Sequence, residues 1–222
     1  MYSFLVVEDI ESTLAELQTL LSEVFPNSRV DVAETTVQAL DYVEAAARSK
    51  RPYHAAVVDF MLPHTAGERA EIDECICRSI RTMLPGTLIV HITAYAGDPI
   101  VLAHFRDVDL VNPGIPSAVT ISKLEVDWAS QLLSKLKQYL YGMQIEEQMD
   151  GLFRADWGST TSTRGRVGRD RVFRNGDVTH ALANLDRDIV THWDDLDNQL
   201  QARIQSVFHV DTSGRPIRIS LL

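Results

Sequence analysis

Five residues of this 222-residue chain are of types that do chemistry and stand where apolar runs end. They are Glu8 and Asp9 in "SFLVVED", Asp59 in "YHAAVVDF", Thr93 in "TLIVHIT" and Lys123 after "SAVTIS". Taken singly, each has a plain reading: Asp9 or Thr93 as a helix cap, Asp59 as a turn-former, Lys123 as a solvated charge. Taken together they are three acids, a hydroxyl and a cation. Three carboxylates in one small pocket repel one another and bind protons more readily unless a cation sits among them. All-oxygen ligation of this kind suits Mg2+, which takes few protein carboxylates and keeps waters. A hydroxyl and an ammonium beside such a cation complete a cradle for phosphoryl oxygens. The chemistry this set would support is phosphoryl transfer to a carboxylate.

Such a set works only if the chain brings it to one place. Short apolar runs alternate with helical periodicity over the first 140 or so residues. Strands are expected at 3–9, 29–34, 53–60, 87–93 and 117–122, and helices at 12–25, 35–49, somewhere in 67–83, around 98–107 and over 127–153. The first helix shows the pattern well, with Leu14, Leu17, Leu20, Leu21 and Val24 at helical spacing. The runs "FLVV", "AAVV" and "LIVHI" are continuously apolar, as strands buried on both faces must be. The expected fold is therefore α/β, a doubly wound five-stranded parallel sheet, followed by a mainly α-helical C-terminal region. In such sheets, sites form beyond the carboxyl ends of the strands, where all five residues fall.

Composition narrows the function classes. Hydrophobic residues make up 45% of the chain and the formal net charge is −10, which disfavours non-specific attraction to nucleic acid. Residues 1–142 carry 11 basic and 19 acidic side chains, net −8, so the acidity belongs mainly to the first part. No run reaches the ~18 apolar residues of a membrane helix, and the N-terminus lacks a signal peptide's basic segment and cleavage site, so the expected location is cytoplasmic. Cys75 and Cys77 lie two apart in an expected helix without further zinc ligands, and read as free thiols. His64 reads as a solvated loop histidine, and His91 as a core histidine with a hydrogen-bond partner. Lysines are few: Lys50 precedes the third strand, while Lys135 and Lys137 lie well inside the fifth helix. Only Lys123 is placed to reach the pocket.

On these motifs the chain resembles the response-regulator receiver family of two-component signalling. "FLVVED" carries the acidic pair, "VVDFMLPHTAG" an acceptor Asp with Pro63 and Gly67 four and eight residues on, "HITAY" the Thr-Ala pair and "TISK" the lysine. The resemblance covers residues 1–142. It implies that Asp59 accepts a phosphoryl group from a sensor histidine kinase, a phosphotransfer protein or a small phosphodonor. It further implies that Glu8, Asp9 and Asp59 hold Mg2+, that Lys123 neutralises phosphoryl charge, and that Thr93 reports the phosphorylated state. Such a module is a signalling element and not an enzyme for a separate substrate; it catalyses only its own phosphorylation and dephosphorylation. Two departures stand out: Thr120 occupies the place of an aromatic residue common three before the lysine, and Leu124 replaces the usual proline after it.

Residues 143–222 match no pattern and are expected to form a helical output or dimerisation region. "GSTTSTRGRVGRDRVFRNGD" (158–177) reads as a Gly/Arg-rich loop. Leu182, Leu185, Ile189, Trp193, Leu196, Leu200, Ile204 and Val207 recur at spacings of 3, 4, 4, 3, 4, 4 and 3, which predicts one long amphipathic helix. Its stripe would bury against another helix, within the chain or in a second copy. A DNA-binding transcriptional regulator is the competing reading. Against it, the predicted helix carries Asp186, Asp188, Asp194, Asp195 and Asp197 beside Arg187 and Arg203, and phosphates would repel it. The expected output is self-association or binding to a protein target, without membrane or nucleic-acid contact.

Overall fold

The computed structural model describes residues 1–72, 75–101, 103, 118–154 and 175–207. The chain divides into two compact units, Met1–Leu133 and Ser134–Leu222. Among the described residues the first unit holds β1 (Ser3–Val7), α1 (Glu11–Val24), β2 (Arg29–Ala33), α2 (Thr36–Ser49), β3 (Ala55–Asp59), β4 (Met61–Leu62), β5 (Glu71–Ile72), α3 (Ile76–Met83), β6 (Leu88–Thr93) and β7 (Val119–Ser122). Five strands form one parallel sheet in the order β2-β1-β3-β6-β7. This is the doubly wound, flavodoxin-like order, with its topological switch between β1 and β3.

Burial follows the apolar patterning. Every residue of β3 and β6 is buried, and β1 is buried from Phe4 to Val7. The edge strands β2 and β7 are mostly half-buried, in keeping with the alternating "RVDVA" and "VTIS". On one face Leu5, Val7, Ala56, Val58 and Ile89 pack with Ala39 and Val43 of α2 and Ile76 and Ile80 of α3. On strand β1 the alternate residues Phe4 and Val6 are equally buried, and the Phe4 ring lies 5.3 Å from that of Phe25 at the end of α1. Each fully buried aliphatic side chain contributes roughly 1.5–3 kcal/mol.

The ribbon β4–β5 has no counterpart among the expected elements. Met61 pairs with Ile72 and Leu62 with Glu71 in antiparallel register, immediately after Asp59. Its tip turns at Thr65–Glu68, closed by Glu68 N–H donating to the Thr65 carbonyl, with Gly67 at φ 87. A left-handed φ at the third position of such a turn is the type II signature and selects glycine. The Pro63 and His64 carbonyls accept the N–H groups of Thr36 and Val37, so the loop leaving β4 caps the first turn of α2.

A 27-residue helix, α4 (Trp128–Arg154), begins in the first unit and continues through Gly142 and Gly151. The division between the two compact units falls inside this helix. The helix expected around 98–107 is helical at 99–101 and lies outside the described residues from 104; the expected loop at 158–177 lies outside them up to 174, and 175–177 are helical. The C-terminal "RPIRISLL" also lies outside them.

The single long amphipathic helix expected over 182–207 is corrected by the structure. It is two helices, α5 (Asn175–His192) and α6 (Asn198–Val207), separated by a 3-10 turn at Trp193–Asp195 and an extended Leu196. The break lies in "DDLDN", where short polar side chains compete for backbone groups. The Asp197 carboxylate accepts the Leu200 N–H and starts the second helix. Apolar spacing stays helical across the break because both helices present the same residues inward. Leu185, Ile189, Trp193, Leu196, Leu200 and Ile204 are all buried with Ile145 and Met149 of α4. The stripe is thus buried within the chain. Beside this core, the Gln144 and Gln148 amides both donate to one Asp188 oxygen, at 2.9 and 2.7 Å.

The Tyr141 and His192 rings stack at 3.7 Å near Asp188, Asp195 and Lys137. Burial lowers the His192 pKa below its ordinary value, with Lys137 adding to the effect and the two aspartates opposing it. The folded state then binds this proton less readily than the unfolded one. The stability linked to neutral His192 is full above the ordinary histidine pKa and is lost as pH falls through the depressed one. Thermal unfolding between pH 7.5 and 5.5 should show a larger fall in melting temperature for the parent than for His192→Gln; equal falls would assign the acid sensitivity elsewhere.

Candidate functional site

The sheet delivers the expected residues to one edge. Asp59 ends β3 opposite Ile92, and Thr93 ends β6 opposite Ser122. Glu8 follows β1, its N–H donating to the Ala33 carbonyl at 3.0 Å, and Lys123 follows β7, its N–H donating to the Thr93 carbonyl at 2.9 Å. Backbone ladders therefore fix where each side chain starts.

The Lys123 ammonium closes the group. Its Nζ lies 2.6 Å from Glu8 Oε2 and 2.7 Å from Asp59 Oδ2. Glu8 is fully buried, Asp59 is 7% exposed and Asp9 is exposed. Oxygens of these three acids lie within 4.8 Å of one another. Asp9 does not cap α1: the helix starts after Ile10 with no side-chain cap, and Glu8 Oε1 accepts the Ile10 N–H at 3.3 Å. Asp9 is left facing solvent beside the other two carboxylates.

Burial pushes the Glu8 carboxyl above its ordinary pKa, and Asp59 adds to this against the pull of Lys123. Burial likewise raises Asp59, although Lys123 and the backbone N–H groups of Phe60 and Met61 favour its charge. For Lys123, burial opposes the charge, but the two carboxylates outweigh it and lift the ammonium above its ordinary value. Formally, three carboxylates and one ammonium leave a charge of −2. Hard oxygen donors so spaced, with that residual charge, fit a small divalent cation.

Thr93 is fully buried, and its hydroxyl oxygen accepts the Tyr95 N–H at 3.1 Å. Its own O–H is thus left to donate. His91, on the same strand, is buried with Nε2 3.6 Å from Cys77 Sγ, as a core histidine should be. Cys75 is an exposed free thiol and Cys77 a buried one, while His64 is exposed. Side-chain types gave no sign of the backbone donors on Asp59. The Phe60 N–H lies 2.6 Å from Asp59 Oδ1.

No family model matches the chain, and no curated protein does. Solved structures do. The signal receiver domain of an HD domain-containing protein from Pseudomonas fluorescens Pf-5 is 22% identical, over 63% of this chain and 94% of that one, with a TM-score of 0.46. The receiver domain of a sensor histidine kinase from Pseudomonas aeruginosa PAO1, with a magnesium ion coordinated in its active site cleft, is 18% identical over 62% and 96%, at 0.45. A CheY-like receiver domain from Methanospirillum hungatei JF-1 is 18% identical over 63% and 96%, at 0.46. The sheet order defines the first unit as a flavodoxin-like fold, and these neighbours are receiver domains.

Removing the ammonium would leave two buried carboxylates face to face. Lys123→Ala should cost about 3–5 kcal/mol, the usual penalty for orphaning a buried charge. The raised carboxyl pKa values set its pH dependence. Stability linked to a raised acid is present below the unfolded pKa and lost as pH rises through the folded one. The variant's deficit against the parent in thermal unfolding should therefore shrink on acidification from pH 8 towards 5. A deficit independent of pH would mean the two carboxylates do not feel each other.

Proposed function

We propose that the chain is a two-component response regulator whose residues 1–142 form a receiver domain accepting a phosphoryl group on Asp59. The observation that carries this reading is the ammonium of Lys123 shared between Glu8 and Asp59, with Asp9 beside them, at the sheet's switch point. A lone strand-end aspartate has many uses. One held by a cation and a backbone donor, with a buried and an exposed acid beside it, is arranged to take on a phosphoryl group.

On this reading an Asp59 oxygen attacks the phosphorus of a phosphohistidine on a sensor histidine kinase or phosphotransfer protein, or of a small phosphodonor. The P–N bond of the histidine donor breaks as the new P–O bond forms, and the departing imidazole takes up a proton. Lys123 offsets charge on the transferred oxygens and the Thr93 hydroxyl donates to them. Glu8, Asp9 and Asp59 would hold Mg2+, which when bound supplies further neutralisation of the phosphoryl charge. The roles of these residues require no separate substrate, and the module acts on itself only.

The helical region, 143–222, is read as an output that works by self-association or protein binding and not by DNA recognition, and the setting as cytoplasmic. Supporting this, the turn between α5 and α6 exposes Asp194 and Asp197 to solvent, a surface that phosphate backbones repel. The buried apolar stripe leaves any second copy or target to be met by other surfaces. Light scattering of the phosphorylated and unphosphorylated chain distinguishes self-association from a separate protein target.

Incubation with phosphoramidate or acetyl phosphate and Mg2+ should add one acid-labile phosphoryl group, seen as a retarded band on phosphate-affinity electrophoresis. Asp59→Asn should abolish it, and an equally strong band in that variant would sink the assignment. Mg2+ alone should raise the parent's melting temperature, with about 2.7 kcal/mol of stabilisation at a hundredfold excess over Kd. Asp9→Ala should lose most of that response.

A further inference from the structure

We infer that the ribbon β4–β5 is a conformational reporter of the Asp59 carboxylate, tightening when a phosphoryl-like group sits on it. The inference rests on the phosphoacceptor reading and adds a moving part to it. Three observations carry it.

The ribbon is bonded to the acceptor itself. Phe60 donates its backbone N–H to the Asp59 carboxylate at 2.6 Å, and the next residue, Met61, pairs with Ile72 across the ribbon. What the carboxylate does is therefore felt one residue away from the ladder.

One strand is fixed and the other is not. On the β4 side Phe60 is buried against Val101, Leu62 is buried in the core beside α2 and α3, and the Pro63 and His64 carbonyls are held by the N–H groups of Thr36 and Val37. On the β5 side Glu71 and Ile72 are both exposed, as is every residue from His64 to Arg69. A two-residue ladder is at the marginal end of strand pairing. Such elements open with little free energy, and small changes in their template set whether they are formed.

The third observation is the way the tip is built. Gly67 lies at φ 87 and a side chain there would meet nothing within 4 Å. The turn depends on that backbone conformation and on the hydrogen bonds between Thr65 and Glu68, not on packing of a side chain at 67. A phosphoryl-like group on Asp59 brings further acceptors to the segment whose Phe60 N–H already faces the carboxylate. The template strand gains partners, and β5 pairs more firmly on it. Because β5 leads towards α3, the state of Asp59 is displayed as order in an exposed arm.

Linkage makes the test two-sided, since whatever the occupied site does to the arm, the arm does to the site by the same factor. The full chain is examined by hydrogen exchange with and without beryllofluoride and Mg2+, with β2 as an internal reference edge strand. Exchange over 60–72 should slow by about tenfold relative to β2, the equivalent of roughly one added hydrogen bond. Gly67→Ala and Gly67→Val should loosen the arm progressively without touching Asp59. Beryllofluoride affinity, read by fluorine NMR, should fall in the same order, by about fivefold for Ala. Beryllofluoride that binds without slowing the arm, or binds all three proteins equally, overturns the inference and leaves the phosphoacceptor reading standing. Failure of beryllofluoride to bind the parent overturns both.

Discussion

Two buried carboxylates and one ammonium set the terms for the first unit. Glu8, Asp59 and Lys123 come from the ends of three different strands, and each is at most slightly exposed. None could be buried charged without the others, because a lone ion in the interior costs several kcal/mol. The sheet is what satisfies this demand. Parallel pairing of β1 with β3, β3 with β6 and β6 with β7 brings their carboxyl ends into line. A slip of one residue in β3 would turn Asp59 to the other face and leave Lys123 with one partner. Continuous apolar runs in the central strands supply the stability, and the ion triad penalises the wrong register.

The second unit meets the opposite constraint. Among its described residues there is no comparable charge cluster at its centre, and its core is the apolar stripe of α5 and α6 folded back on α4. Where the polar groups of Gln144, Gln148 and Asp188 enter, they pair with each other beside that core. The receiver-like unit is thus specified by where its charges must meet. The helical unit is specified by volume and spacing, which tolerate a break at Leu196 so long as the inward residues stay inward.

Much of the site was legible because chemistry-bearing residues stood at the ends of apolar runs, and strand ends in a doubly wound sheet share an edge. Scarcity of lysine singled out Lys123 before any geometry. Three things were not legible. The ribbon after Asp59 is only two residues long per strand, too short for period-two alternation to register, although Pro63 and Gly67 marked the turn it closes. The interruption of the C-terminal helix left no trace in apolar spacing, because Trp193 to Leu196 is a step of three in either geometry; the signal lay in the polar run "DDLDN". The donors on Asp59 are backbone N–H groups, which every residue but proline carries. Side-chain identity says nothing about where they point.

The buried triad also limits how the site can change state. Lys123 cannot move bodily, since its N–H is tied to the Thr93 carbonyl, so only its side chain can turn from the acids towards a phosphoryl group. When it turns, Glu8 loses its ammonium while remaining fully buried, with the Ile10 N–H at 3.3 Å as its other hydrogen bond. A charged carboxylate in that position is costly, so on the proposed reading it must take up a proton or face a divalent cation. Burial holds the Glu8 carboxyl above its ordinary pKa, which is the direction of the first route, and the exposed Asp9 beside it lies where the second would open. On that reading Glu8 would make a phosphorylated state conditional on replacement charge. An acid exposed to water would impose no such condition, and on the proposed reading the depth of Glu8 below Asp9 would tie the phosphorylated state to a cation.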